Sequence, residues 1–321
     1  MNLSASKSVS EYRVFCKSCS HVPLFSSPEW LDVVCGEIGW GVISISENGK
    51  IVCAIVYRTR RILGVDVVTQ PSLTQNVGPW FPEEIVSTLV ESRSNALMEL
   101  LAKSMPNAAW LRIGLSPSVD NWLPFYWQGY KQTTRYTYRI SKHLDRDVLV
   151  KSIAGRTRRD IKFAEEKMEL SIDTNGSVSE LYEIISRSFS ARKKKNRYSY
   201  SLLENIQVTL SKTKRCEILL ARDRSGVAHG GIMLVGDCNT VYYLAGASDP
   251  YLKNRGVVSF LLRHAMIITQ ESGRTFDFEG SMIRPIEFFV RSFGGVRTPY
   301  HVIYKSASSI ISGCMTMVGR I

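Results

Sequence analysis

Hydrophobic and polar positions alternate in two separate parts of the chain, and each part predicts a meander of short strands. In the first part, WGVISI and IVCAIVYR flank the turn Glu47-Asn48-Gly49-Lys50, and ILGVDVVTQ follows. Asn-Gly tolerates positive φ, so this turn favours a tight hairpin. A helix over about 83–104, the strand AAWLRIG, a short aromatic helix ending at Gly129 and the strand TTRYTYRI complete this part.

The second part repeats the same order of elements. CEILLAR, VAHGGIMLVG and TVYYLAGAS predict another meander, followed by a helix over about 254–271 that stops at Gly273. The strand FDFEG, a helix from Pro285 to Gly294-Gly295 and the strand RTPYHVIYK then follow. The repeat predicts an α+β protein of two similar lobes, 1–140 and 173–321, each a mainly antiparallel sheet flanked by helices.

A charged segment, 141–172, connects the two repeats. Within RTRRDIKFAEEKM, the residues Ile161, Ala164 and Met168 have the spacing of an apolar stripe on a helix. The segment therefore predicts a connecting helix with a solvated, highly charged face.

Composition narrows the class of protein. The 321 residues are 44% hydrophobic, and we find neither a signal-peptide pattern nor an apolar run long enough to span a bilayer. Seven scattered cysteines favour a reducing compartment, so a cytoplasmic protein is expected. Cys16 and Cys19 form a C-x-x-C without a second ligand pair, so no metal site is expected. The net charge of +12 indicates an anionic partner, whether phosphorylated cofactor, nucleotide, RNA or lipid head group.

Three stretches resemble one family. The order of elements resembles the GNAT acyltransferase fold, and its tandem copy resembles the Fem-type peptidoglycan aminoacyl ligases and the related Fem-like acyltransferases. The resemblance lies in RTRRDIKFAEEK, in TVYYLAGASDPYLKNRGVVSFLLRHAM and in RTFDFEGSMIRPIEFFVRSFGG, and it covers roughly residues 25–305. It implies an acyl-transfer enzyme with its chemistry in the C-terminal lobe, and an N-terminal lobe that shapes the acceptor cleft.

The resemblance also implies a binding site for an acyl-CoA donor. Its pyrophosphate would rest on backbone N–H groups at the start of a helix, where the first turn lacks internal partners. The expected cofactor-binding residues are Ala245, Gly246, Asn254, Arg255, Gly256, Val257, Val258 and Ser259. Val258 departs from the family pattern, which has Gly or Ala at this position. Its branched side chain limits how closely a ligand can approach the backbone.

Four residues are the candidates for catalysis. Asp277 and Glu279 would share one face of the strand FDFEG, where a carboxylate can take a proton from an acceptor amine. Glu279 is the first choice for this base and Asp277 the second; the structural alternative is a helix cap or an ion pair with Arg284. Tyr243 on the donor strand and His229 in VAHGGIM complete the set.

A basic run leaves the donor and the function open. Arg187, Arg192, Lys193, Lys194, Lys195 and Arg197 precede Tyr198 and Tyr200, a mixture that suits a phosphate clamp, RNA or an exposed loop. The favoured function is N-acyl transfer, with acetyl as the first choice of acyl group, from acyl-CoA to a small or sugar-linked amine, as in surface-polysaccharide synthesis. The alternatives are aminoacyl-tRNA-dependent transfer to an envelope precursor and a non-enzymatic protein that binds RNA or a membrane surface. For membrane contact the apolar tail SASSIISGCMTMVGRI is the candidate segment.

Overall fold

The chain forms two compact units. A computed structural model describes residues 3–62, 64–87 and 89–307. The first unit comprises Met1–Arg135 together with Pro299–Ile321, and the second comprises Tyr136–Thr298. From residue 308 onward the predicted membrane-contacting tail lies outside the described residues. No helix of the described part is long and apolar enough to cross a membrane.

The first unit is a sheet with helices inserted between its strands. Its helices are α1 Val9–Ser18, α2 Pro28–Cys35, α3 Glu83–Val86, α4 Glu91–Ser104 and α5 Leu123–Trp127. Its strands are β1 Leu3–Ser6, β2 Trp40–Glu47, β3 Lys50–Ile62, β4 Val65–Thr69, β5 Trp110–Gly114 and the second half of the last strand of the chain, Val296–Ser306. Neighbouring strands are antiparallel except β4 and β5, which are parallel.

The predicted hairpin is confirmed, and one predicted helix is corrected. Glu47 pairs with Lys50, while Asn48 and Gly49 have φ of 51° and 81°, as a tight turn with two left-handed residues requires. The helix predicted over 83–104 is two helices, α3 and α4. Val90 has the extended backbone of an N-cap residue, so it starts a new helix.

The second unit repeats this plan. Its helices are α6 Arg146–Ser152, α7 Gly155–Lys162 with a π-helical continuation Phe163–Lys167, α8 Val178–Ala191, α9 Tyr200–Ser211, α10 Val257–Glu271 and α11 Arg284–Arg291. Its strands are β6 Lys131–Ile140, which begins in the first unit, β7 Ser171–Asp173, β8 Cys216–Arg222, β9 Ala228–Gly236, β10 Thr240–Ser248 and β11 Thr275–Asp277. Neighbouring strands are again antiparallel, except the parallel pair β10 and β11.

The closing strands of the two repeats are exchanged. The last strand of the chain, Val296–Ser306 and hereafter β12, pairs with β5 in the first unit. Strand β6, which ends the first repeat, pairs with β11 in the second. The predicted repeat of elements is therefore present, but the limits 1–140 and 173–321 follow chain order, whereas the compact units follow strand pairing.

The charged segment 141–172 lies in the second unit. Its predicted apolar stripe is confirmed: Ile161 and Ala164 are fully buried, and Met168 is half-buried against the same core. This core lies between the sheet and the helices α6, α7 and α10. Its fully buried members include Leu149, Ile161, Leu219, Ile232, Val257, Leu261, Phe276 and Phe293.

Candidate active site

The end of β11 holds two carboxylates in different environments. Strand β11 stops at Asp277, so Glu279 does not continue the strand as the sequence pattern predicts. Instead Glu279 has a left-handed φ of 57°, a conformation that few non-glycine residues adopt. The buried rings of Phe276 and Phe278 hold this segment against the core.

Asp277 is enclosed and fully engaged by neighbouring groups. It has no exposed surface, and its carboxylate accepts hydrogen bonds from Thr137 Oγ1 at 2.5 Å and Arg139 Nε at 2.7 Å. It also accepts the backbone N–H of Glu279 at 2.8 Å. These three donors occupy both oxygens of the Asp277 carboxylate and fix its orientation. Asp277 therefore serves as an anchor that shapes the turn.

Glu279 has the properties of a general base. Its backbone lies on a partly exposed turn, but Oε1 is buried and has no hydrogen-bond partner within the described part of the chain. Burial, and secondarily the negative charge of Asp277, raises the pKa of the Glu279 carboxyl well above its ordinary value. An enclosed carboxyl of raised pKa that lacks partners is suited to taking a proton from a bound amine.

Two tyrosines share the environment of Glu279. Burial raises the pKa of Tyr198, and the charge of Glu279 adds to the increase while Arg197 opposes it. Burial, followed by the proximity of Tyr198, raises the pKa of Tyr243 as well. Both phenols therefore stay protonated at neutral pH and can donate hydrogen bonds to a developing negative charge.

Strand β10, which carries Tyr243, is irregular next to this group. Its register against β9 shifts between Tyr243 and Ala245. At Gly246 a Cβ atom would lie 2.8 Å from the Tyr243 hydroxyl and 2.9 Å from the carbonyl of Gly231. Close packing against β9 and against Tyr243 thus accounts for the glycine at this position.

The expected donor loop at the start of α10 lies against α7. Gly256 has a φ of 76°, and a Cβ atom there would come within 2.0 Å of the Asp160 carbonyl oxygen. The Arg255 guanidinium pairs with the Asp160 carboxylate at 2.8 Å and stacks on Phe163, with 4.8 Å from its Cζ to the ring centre. Helix α7 and its π-helical continuation thus contact both residues.

The rest of this loop presents backbone groups, rather than side chains, for binding a phosphate. Val257 and Ser259 are buried, Val258 is half-buried, and the Asn254 amide donates to the Asp249 carbonyl at 3.3 Å rather than capping α10. No side chain caps the helix. The N–H groups of its first turn therefore remain the only part of the loop suited to a phosphate, while Arg255 is already paired.

His229 is held on both sides of its ring. Nδ1 lies 2.7 Å from the Lys253 carbonyl oxygen, and Nε2 lies 3.1 Å from the Asp223 carboxylate. Both ring nitrogens therefore face oxygen atoms of neighbouring groups. The geometry makes His229 a tie between β9 and the loop before α10, and it leaves no nitrogen for proton abstraction.

The basic run divides into two parts. Arg187 lies on α8 and pairs with the buried Asp249 at 2.8 Å. The rest lies in or beside the loop after α8, where Lys193, Lys194, Lys195 and Arg197 are exposed. Because Tyr198 follows directly, this exposed basic loop adjoins the surroundings of Glu279.

Sequence reasoning missed three residues of this site. Tyr198 was noted only as part of the basic run, although an aromatic residue that ends such a run indicates an anchor. Thr137 and Arg139 alternate in TTRYTYRI, which places two polar side chains on one face of a strand. That pattern could have indicated a buried polar partner, but not Asp277, which is 140 residues away. No cluster of His, Cys, Asp and Glu suited to a metal ion occurs among the described residues.

Comparison with known proteins shows the fold. No family model matches the sequence, and no curated protein matches it either. The structure is similar to FemX, with 15% identity, a TM-score of 0.66 and coverage of 94% of this chain and 97% of that one. It is also similar to the C-terminal domain of a putative lysylphosphatidylglycerol synthetase from Agrobacterium fabrum, with 12% identity, a TM-score of 0.58 and 97% coverage of each chain.

A third similar structure carries the tandem arrangement in its name. It is a tandem GNAT protein from the clavulanic acid biosynthesis pathway, with 10% identity, a TM-score of 0.51 and coverage of 96% of this chain and 99% of that one. At these identities the shared property is the fold. The α+β class with two GNAT-like units, predicted from the sequence, is thus confirmed.

Proposed function

We propose that the protein is an acyltransferase that transfers an acyl group to an amine, with Glu279 as the general base. The observation that carries this proposal is the buried Glu279 carboxyl, whose Oε1 has no partner in the described structure and whose pKa is raised. Its place in a GNAT-like unit, near the protonated Tyr198, which in turn lies near Tyr243, supports a transfer reaction over simple binding. The lysylphosphatidylglycerol synthetase and GNAT names of similar structures agree with this class.

The proposed reaction is a direct transfer in a ternary complex. The donor supplies an activated carbonyl carbon, which the nitrogen of the acceptor attacks. The C–N bond forms, the bond to the donor's leaving group breaks, and Glu279 takes the proton that the nitrogen loses. The Tyr243 hydroxyl donates to the negative charge that develops on the carbonyl oxygen or on the leaving group.

Acyl-CoA is the first candidate donor. The uncapped N–H groups of the first turn of α10 support it, because they form an anion site of the kind that a pyrophosphate uses. A small or sugar-linked amine remains the proposed acceptor, and the cytoplasm the proposed compartment.

Aminoacyl-tRNA is the second candidate donor, and the exposed basic loop 193–197 favours it. The Arg255–Asp160 pair and the contact of α7 with Gly256 also count against a wide pyrophosphate loop. Backbone phosphates of RNA are neutralised by exposed Lys and Arg, as this loop provides.

Thermal stabilisation distinguishes the donors. Acetyl-CoA, a longer acyl-CoA, charged tRNA and uncharged tRNA are each added to the full chain. A ligand at a hundred times its Kd adds about 2.7 kcal/mol to the free energy of unfolding. We expect a shift with an acyl-CoA, whereas a shift with charged tRNA alone identifies the second donor.

Two variants sharpen this experiment. Lys193→Ala/Lys194→Ala/Lys195→Ala should remove a tRNA shift and leave an acyl-CoA shift unchanged. Glu279→Gln should keep the donor shift but lose transfer to a panel of amines. Equal shifts with charged and uncharged tRNA and none with acyl-CoA, together with no transfer, would instead establish a non-enzymatic RNA-binding protein.

A further inference from the structure

Apolar side chains are exposed on the segment that follows Glu279. Met282 and Ile283, in the loop before α11, are 58% and 55% exposed, and Phe288 on α11 is 61% exposed. Ile286 on the same helix is also exposed. Val290 and Phe293 hold the opposite face in the core. The segment 281–291, termed the α11 surface, thus presents several apolar side chains to solvent while Val290 and Phe293 hold it to the core.

The α11 surface also carries positive charge. Arg284 and Arg291 lie on the exposed face with Phe288, and the Arg291 Cζ lies 4.6 Å from the centre of that ring. The acidic residue of the helix, Glu287, turns away from this face. Its carboxylate accepts the Tyr138 hydroxyl at 2.6 Å and pairs with Arg291 at 3.0 Å. Arg284 therefore supplies the outward positive charge, while the charge of Arg291 is shared with Glu287.

An anionic bilayer has the complementary chemistry. Aromatic and aliphatic side chains enter the boundary between head groups and acyl chains, while arginines at the same level contact lipid phosphates. An exposed Phe between arginines, beside exposed Met and Ile, fits such a boundary. A protein partner would need an apolar and acidic surface of matching shape, for which the structure gives no indication.

We propose that the α11 surface docks the protein onto an anionic lipid bilayer. The docking residues are Met282, Ile283, Arg284, Ile286, Phe288 and Arg291. This proposal is independent of turnover. Its consequence for catalysis rests on the proposed function: because Glu279 precedes the surface by only a few residues, docking would bring the acceptor site next to lipid head groups.

Co-sedimentation of the full chain with vesicles tests the proposal. Vesicles of phosphatidylcholine are compared with vesicles that also contain phosphatidylglycerol. We expect sedimentation with the second kind, weakened by high salt because the attraction is partly electrostatic. Arg284→Glu should weaken this sedimentation, and Met282→Ser/Phe288→Ser should lower the partition coefficient by about tenfold or more.

A matched control separates the α11 surface from general stickiness. Val208 on α9 is 57% exposed in the same unit, so Val208→Ser should bind vesicles like the unchanged protein. Glu279→Gln should also bind normally, which keeps a failure of the catalytic proposal separate from a failure of this one. Circular dichroism confirms that each variant is folded.

Four outcomes would overturn the proposal. One is the absence of sedimentation with either vesicle, and another is unchanged sedimentation of Met282→Ser/Phe288→Ser. The third is loss of binding on removal of residues 308–321 alone, which would assign the contact to the tail. The last is a dimer in solution that the double substitution dissolves, which would assign the surface to a second copy of the chain.

Discussion

Glu279 and Asp277, two residues apart, show how local surroundings give two carboxylates different roles. Asp277 accepts three hydrogen bonds, whereas the Glu279 Oε1 is buried without a partner in the described residues. Burying a carboxyl without donors costs stability, and such a cost is retained where the group is needed for chemistry.

Glu279→Gln should lower the rate of amine transfer by about 10²–10⁴-fold, the usual contribution of a general base. In the unchanged protein the rate should rise with pH through the raised pKa of Glu279, because only the ionised carboxylate accepts a proton. Transfer rates measured across pH test this. An unchanged rate in the variant would remove Glu279 from the mechanism.

The same substitution should affect stability in a pH-dependent way. The pKa of Glu279 is raised on folding, so between the ordinary pKa near 4.5 and the folded value the native state binds the extra proton. The unchanged protein therefore loses stability as pH rises through that interval. We expect Glu279→Gln to have the higher Tm at neutral pH, and the difference to shrink below pH 4.5. A lower Tm at neutral pH would contradict this expectation.

Asp277→Ala should cost about 3 kcal/mol in the free energy of unfolding, because it removes a buried partner of Arg139, Thr137 and the Glu279 backbone. Asp173→Ala is the matched control. Asp173 also accepts an arginine Nε at 2.7 Å, from Arg222, but its side chain is 26% exposed. The control should cost about 1 kcal/mol or less. Urea unfolding measures both, and equal losses would show that burial of Asp277 adds nothing.

At the scale of elements, the contact of α7 with the start of α10 defines the expected donor loop. The close approach at Gly256 and the Arg255–Asp160 pair join the two helices. The sequence motif marked this glycine for a phosphate, but the structure uses it for a helix contact. A phosphate-binding loop and a close contact between helices both require backbone without a side chain. The same glycine in the sequence pattern therefore fits either role.

Gly256→Ala and Gly273→Ala form a pair that tests this contact. Both residues have positive φ, 76° and 70°, so both substitutions carry the same backbone strain of about 1 kcal/mol. Only at Gly256 would the new Cβ meet another backbone, because nothing lies within 4 Å at Gly273. We expect Gly256→Ala to be the less stable variant by about 1 kcal/mol or more in urea unfolding. Equal stability would mean that α7 shifts without cost.

At the scale of the whole molecule, the exchange of closing strands decides which fragments can fold. The chain order suggests 173–321 as a lobe, but that fragment lacks β6 and the core residues Leu149 and Ile161. The fragment 136–298 keeps the second unit and its core. Burial of these side chains supplies much of the stability of a small unit.

We expect the fragment 136–298 to unfold cooperatively in a thermal scan followed by circular dichroism. The fragment 173–321 should lack a cooperative transition, since β11 would have no antiparallel partner and the core would be open. A transition of equal sharpness in both fragments would show that β6 and the segment 141–172 are dispensable for the fold of the second unit.

The sequence by itself determined the local elements and their repetition. The Asn48-Gly49 turn, the strands of the two meanders, the stripe of Ile161 and Ala164 and the glycine after α10 follow from short-range rules of periodicity and backbone freedom. These features depend only on residues close together in the chain, so the sequence pattern is sufficient to predict them.

Only the tertiary structure decided which distant parts combine. It exchanged β6 and β12, bound Asp277 to Thr137 and Arg139, left Glu279 Oε1 without a partner in the described structure, and placed α7 on Gly256. Each depends on strand pairing and side-chain contacts between residues far apart in sequence, which periodicity does not encode. Two carboxylates in one short stretch are equivalent in the sequence, but their hydrogen bonding differs because distant residues supply donors to Asp277 and none to the Glu279 Oε1 in the described structure.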